Sequence, residues 1–199
     1  MIKIIDTGVA NIRSLQAAFD RLDKPWALTT DASEIGSAKH VVLPGVGTFG
    51  AAAAKLDEYQ LREALTERIE KGESTLCICL GMQLLCEASE ENPGVQGLGI
   101  VPEKISRFSE EVQVPQLGWN QVTPNQPDWY ESGQAYFANS FRLASVPAGW
   151  GFATTDYGGQ FVSSVWRGQV LACQFHPELS GEWGQGLLKN WIEGGINAC

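Results

Sequence analysis

Two short stretches carry residue types able to do covalent chemistry. In "LCICLGMQLL", residues 76–85, an apolar run meets a glycine and passes into helical spacing, with Cys77 and Cys79 at the join. A residue that ends a central strand and opens a helix sits in a tight turn that pushes its side chain into a crevice, and its neighbours two before and two after are crowded and prefer to be small. Cys79 has that place, with Gly81 two residues later. The free N–H groups and positive dipole end of a helix start favour a thiolate and can hold an oxyanion. A small buried core residue would fit the same place, and position alone leaves both readings open.

A nucleophilic thiol needs a base, and the chain has two histidines. His40 opens a β-type run, where a surface or strand-start position accounts for it. His176 lies in "CQFHPELSG", at the end of another predicted strand and two residues before Glu178. An extended backbone puts 176 and 178 on one side, and Pro177 restricts the turn, so the carboxylate can orient the imidazole and stabilise its charge. Cys79, His176 and Glu178 then form a thiol, base and orienter set. Metal binding by Cys77 and Cys79 is disfavoured, because no second cysteine pair accompanies the two histidines. Neither a metal nor a cofactor is expected.

These residues need a scaffold that brings residue 79 to residue 176. "IKIID" at 2–6, "WALTT", "HVVLPG" at 40–45 and "STLCIC" read as strands, alternating with helices at 12–22, over "AAAAKLDEYQLREALTERIEKG" with a break near Tyr59, and over "LGMQLLCEASEE". The third strand is continuously apolar, as a strand buried on both faces must be. Such alternation predicts right-handed crossovers, a mostly parallel sheet, and ligands at the carboxyl ends of its strands. From about residue 105 shorter β-type pieces follow, "VQVPQLGWNQV", "AYFANSFRL", "FVSSVWRG" and "VLACQFHPE", and these predict added antiparallel strands. "GLLKNWIEGG" closes the chain as a helix. The expected fold is α/β, a three-layer arrangement around a mostly parallel central sheet, in one domain over 1–199.

Composition excludes several functions. The chain of 199 residues has 23 acidic and 14 basic side chains and a net charge of −9, which opposes binding to nucleic acid or to an anionic membrane surface. It has no apolar run near the roughly 20 residues of a membrane span, and "MIKIIDTG" has no signal-peptide pattern. Five cysteines without regular spacing read as reduced thiols, so a cytoplasmic location is expected.

"CLGMQLL" with Cys79, "FHPE" with His176 and Glu178, and "LPGVGTF" at 43–49 resemble the class I, triad-type glutamine amidotransferases. Within that class, "IIDTGVANIRSL", "PGVG", "LGWNQV" and "LLKNWIE" resemble the glutaminase subunits of imidazole glycerol phosphate synthases. The resemblance runs end to end. It implies that Cys79 attacks the side-chain amide of glutamine, that His176 moves the protons, and that oxyanion donors come from Leu80 and from the Gly45, Val46 and Gly47 turn, after a peptide flip that glycines permit. It further implies that Gly47, Gln83, Glu91, Ser140 and Phe141 hold glutamine, with Glu91 on its ammonium. Taken alone, Glu90 and Glu91 read as a solvated helix end.

No phosphate-cradling loop and no basic cluster is present for a sugar with two phosphates. The resemblance implies a separate (β/α)₈ barrel cyclase as partner in a heterodimer, which joins the ammonia to a ribotide precursor to give imidazole glycerol phosphate and aminoimidazole carboxamide ribotide. Asn11, Trp119 and Tyr136 match positions facing that partner. The chain departs from the family pattern at Cys77 for glycine, Gln116 and Asn139 for histidines, Phe141 for tyrosine, and Leu179 for a basic residue that pairs with an acid on the barrel. These departures bear on coupling to the partner. A paralogue feeding another acceptor, such as surface-sugar amidation, and a non-catalytic regulatory subunit are the alternative readings.

Overall fold

A computed structural model describes residues 1–6, 8 and 12–195. Its sheet begins with β1 (Ile2–Ile5), β2 (Trp26–Thr29), β3 (His40–Leu43) and β4 (Thr75–Ile78). The helices between them are α1 (Ile12–Arg21), α2 (Ala32–Ser37), α3 (Phe49–Glu58) and α4 (Arg62–Glu70), so the expected break near Tyr59 separates two helices. Helix α2 has no strong apolar period. It forms because Asp31 caps it, accepting from the Ser33 backbone N–H at 2.7 Å.

The order β2-β1-β3-β4 continues into β12 (Val170–Cys173), then β11 (Gln160–Arg167), β10 (Gly151–Asp156), β7 (Gln116–Pro124) and β8 (Gly133–Asn139). All four residues of β3, β4 and β12 are buried, as strands covered on both faces must be. One large apolar cluster contains α3 and α4 residues, and the other α1 residues and the closing α6 (Gly181–Glu193), which gives the three layers. Beyond β12 the pairings are antiparallel, as expected for the second half.

Two elements differ from expectation. β12 pairs parallel with β4, with Val170 opposite Thr75 and Cys173 opposite Ile78. The expected helix over 80–91 is only α5 (Leu80–Gln83), followed by β5 (Cys86–Ser89), which pairs parallel with β6 (Val101–Arg107). Local propensity in this stretch yields to that tertiary pairing. β6 also meets β9 (Phe141–Leu143). His40 does open β3, yet it is buried rather than on the surface: its Nδ1 lies 2.8 Å from Ser74 Oγ, and its ring meets Trp191 edge-on. Burial lowers its pKa to about 4. Among the described residues, no helix is long and apolar enough to cross a membrane.

Arg68 pins α4 to the sheet. Buried in the interior, its guanidinium donates to the carbonyls of Ile35 at 3.0 Å, Lys39 at 3.2 Å and Ser74 at 2.8 Å, and to Thr75 Oγ1 at 3.1 Å. Arg68→Met would remove all four of these hydrogen bonds and leave acceptors in the interior under-satisfied. Equilibrium urea unfolding is expected to register a loss of roughly 3 kcal/mol; a loss below about 1 kcal/mol would contradict this role.

Candidate active site

The site starts from two parallel strands that end side by side. The Cys79 backbone N–H donates to Cys173 O at 2.7 Å, so the residues after β4 and β12 emerge together. Cys79 adopts φ 53° and ψ −108°, a region that non-glycine residues avoid at a cost of order 1–3 kcal/mol. That backbone turns the chain sharply from β4 into α5 and directs the thiol outward. The turn is possible because its surroundings are bare. A Cβ on Gly81 would lie 2.1 Å from Leu43 O, and one on Gly45 would lie 2.7 Å from Leu80 Cβ. Cys77, two before Cys79, points into the core instead of crowding the turn. Burial pushes the thiols of Cys77 and Cys86 up to about 12 and that of Cys173 well above its usual range. These three are inert by environment.

His176 follows β12, and its Nδ1 donates to Glu178 Oε1 at 2.8 Å. The backbone between them is not extended, as the sequence suggests, but a 3₁₀ turn over Pro177–Leu179 with proline in its first position. The turn is fastened from behind: Ser180 Oγ donates to His176 O at 2.6 Å and accepts from the Tyr136 N–H at 2.9 Å. Burial disfavours a charged imidazole, but hydrogen bonds to Cys79 and Glu178 outweigh it and raise the His176 pKa to about 10. The ring therefore binds strongly the proton it takes from Cys79.

Cys79 and His176 open onto a cavity of about 290 Å³. Its wall also contains Val46, Gly47, Leu80, Gln83, Glu91, Ser140 and Phe141, which brings together the residues expected as oxyanion donors and glutamine ligands. Gly47 has φ 95°, a conformation open to glycine. Glu91 reaches the cavity from the turn after β5, and its Oε2 accepts from the Phe49 N–H at 2.6 Å at the start of α3. Gln83 Nε2 donates to Gln174 Oε1 at 2.9 Å and to Phe141 O at 3.4 Å.

Sequence reasoning missed Gln174. This fully buried amide lies 3.5 Å from Cys79 Sγ through its Nε2. The available signal was a polar residue inside the apolar run "VLACQF". Asn139, a departure from the family pattern, also lies on the cavity wall; it stands opposite Gln116 across β7 and β8, and both are buried.

Of the positions matched to a partner face, Asn11 lies outside the described residues. Trp119 is 57% exposed and meets Tyr136 edge-on at 6.2 Å. Leu117, 64% exposed, shares its side of β7. Leu179 is 38% exposed, and Trp119 Cη2 lies 3.7 Å from where a Cβ on nearby Gly181 would stand.

The chain is similar to known proteins along nearly its whole length. The family model for glutamine amidotransferase class-I matches residues 3–193. The chain is 42% identical over 198 residues to the imidazole glycerol phosphate synthase subunit HisH of Oceanobacillus iheyensis, covering 97% of this chain and 98% of that protein. It is 39% identical over 197 residues to the subunit of that name from Methanothermobacter thermautotrophicus, covering 97% and 98%. Among solved structures, a glutamine amidotransferase superposes with a TM-score of 0.77 at 19% identity over 96% of both chains. PurLQS from Thermotoga maritima does so with a TM-score of 0.75 at 15% identity, again over 96% of both. A strained cysteine elbow, a neighbouring His and Glu pair and this full-length similarity together place the chain in the class-I glutamine amidotransferase family, within the branch of imidazole glycerol phosphate synthase HisH subunits.

Proposed function

We propose that Cys79, His176 and Glu178 are the catalytic triad by which the chain hydrolyses glutamine to glutamate and ammonia, and that the ammonia passes to a separate barrel cyclase. Membership of the branch makes the chain an enzyme, the glutamine amidotransferase subunit of an imidazole glycerol phosphate synthase in histidine biosynthesis. The observation carrying the residue assignment is the Cys79 elbow beside the 2.8 Å pair of His176 and Glu178, with the thiol and imidazole facing one cavity.

The chemistry follows from that geometry. Cys79 gives its proton to His176, and the sulfur adds to the carboxamide carbon of glutamine. The resulting oxyanion is received by the Leu80 N–H, free at the start of α5, and by an N–H of the Val46 and Gly47 turn. As the intermediate collapses, the C–N bond breaks and His176 delivers its proton to the departing nitrogen, which leaves as ammonia. A thioester remains. His176 then takes a proton from water, the hydroxide adds to the thioester, and C–S cleavage returns the electron pair to Cys79 and frees glutamate. Glu178 keeps the imidazole in the required tautomer throughout. Gly47, Gln83, Ser140 and Phe141 hold the substrate, with Glu91 facing its ammonium.

We assign the partner face to Trp119, Tyr136 and Leu179, and include Asn11 on the sequence match alone. A leucine at 179 offers apolar contact where a basic residue would offer an ion pair. We place the complex in the cytoplasm.

A glutamine-like chloroketone tests the catalytic assignment. One adduct per chain is expected, on Cys79 by peptide mass mapping, and excess glutamine is expected to suppress it. An adduct on Cys77, Cys86 or Cys173 instead, or none with the partner present, would overturn the assignment.

A further inference from the structure

Gln174 is fully buried, one residue past β12 and two before His176. An amide in that setting is costly unless both ends are hydrogen-bonded. Its backbone N–H donates to Ser163 O at 2.8 Å, so the strand path alone does not account for the side chain. The side chain spans two active-site groups: Oε1 accepts from Gln83 Nε2 at 2.9 Å, and Nε2 donates to Cys79 Sγ at 3.5 Å. Gln83 fixes which end faces the sulfur. Because its amide nitrogen, the donor, meets Oε1, the N–H end of Gln174 is left for Cys79.

The sulfur is an anion twice in each turnover. It is a thiolate after giving its proton to His176, and again when the thioester C–S bond breaks and the electron pair returns to it. A donor aimed at Sγ from the buried side of the site makes a charge-assisted hydrogen bond at both moments and a weaker one to the neutral thiol or thioester. A residue that merely filled core volume would need no such alignment.

We propose that Gln174 is a further catalytic residue, whose Nε2–H stabilises the Cys79 thiolate on attack and on its release from the thioester, with Gln83 holding the amide in that orientation. This rests on the reading of Cys79 as the nucleophile. It gives Gln83 a second task besides substrate contact, and explains an amide in the apolar run before His176.

The test compares Gln174→Met, which keeps volume but loses the donor, with wild type and with Cys79→Ala. Glutamate release, alkylation of Cys79 by iodoacetamide at neutral pH and the ultraviolet thiolate absorbance are followed together. Expected are a fall in kcat of about tenfold or more, KM for glutamine within about twofold, slower alkylation by a similar factor, and a weaker thiolate signal. Alkylation needs no substrate pocket, so slower alkylation separates a donor to sulfur from a substrate contact. Gln174→Leu carries the same measurements if the methionine variant does not fold. Wild-type turnover and alkylation in a folded donor-free variant, with Cys79→Ala inactive, would overturn this proposal and leave the nucleophile standing. Release retained in Cys79→Ala would overturn both.

Discussion

Cys79→Ala is expected to lower glutamate release by about 10⁴-fold or more while leaving the unfolding midpoint close to wild type. The expected loss is large because in the proposed mechanism each covalent step passes through that sulfur, and no neighbouring thiol is placed to replace it. Cys77 and Cys173 are fully buried, with burial raising their pKa values. The residual rate would come from substrate positioning and oxyanion contacts alone, which act on water far less effectively than on an adjacent thiolate. In the wild type, release is expected to hold across neutral pH and to decline only as His176 loses its proton near pH 10, because the leaving nitrogen needs that proton. A Cys79→Ala variant within about tenfold of wild type would remove the nucleophile from the account.

Gly81→Ala carries the second large effect, and it acts on fold and site together. The added Cβ would stand 2.1 Å from Leu43 O and 3.1 Å from Leu43 C, both backbone atoms at the end of β3. No rotamer relieves such a contact, so α5 must move away from β3 or β3 must bend. The first movement displaces Cys79 and the Leu80 N–H; the second displaces the turn that carries Val46 and Gly47. A stability loss of roughly 3 kcal/mol and a fall in release of about 100-fold are expected, read by thermal unfolding and by initial rates. Gly186→Ala is the matched control, since a Cβ there meets nothing within 4 Å. Equal behaviour of the two variants would mean that close packing of α5 on β3 does not shape the elbow.

Much of the parallel half of the fold was legible because β3 is continuously apolar and α1 is periodic, whereas α2, held by its cap, was not; Cys79 was legible because a cysteine and a glycine meet at such a join. His176 and Glu178 were readable as a local pair, although their backbone follows a 3₁₀ turn rather than an extended path. What could not be read was long-range pairing. Nothing local in "VLAC" distinguishes a strand parallel to β4 from one in an antiparallel meander, yet that choice sets His176 beside Cys79. The same limit hid the strand Cys86–Ser89 inside a helical-looking stretch. With a helix assumed there, Glu91 looked like its solvated end, and only family resemblance pointed to it. In the structure the chain turns back after β5, and Glu91 caps α3 at the cavity wall. Gln174 escaped notice because its partners, Cys79 and Gln83, are 95 and 91 residues away in sequence.

The central claim is that this chain releases glutamate through Cys79 to supply ammonia to a cyclase of histidine synthesis. Its most direct test is glutamate release by the purified chain, alone and with a histidine-pathway barrel cyclase and its ribotide ligand, with Cys79→Ala as the blank. The expected result is strong stimulation by barrel and ligand together, absent from the blank, with one imidazole glycerol phosphate formed per glutamate. Release through Cys79 that the barrel and its ligand leave unchanged would contradict the coupling and point to another ammonia acceptor, and no release under any of these conditions would contradict the claim as a whole.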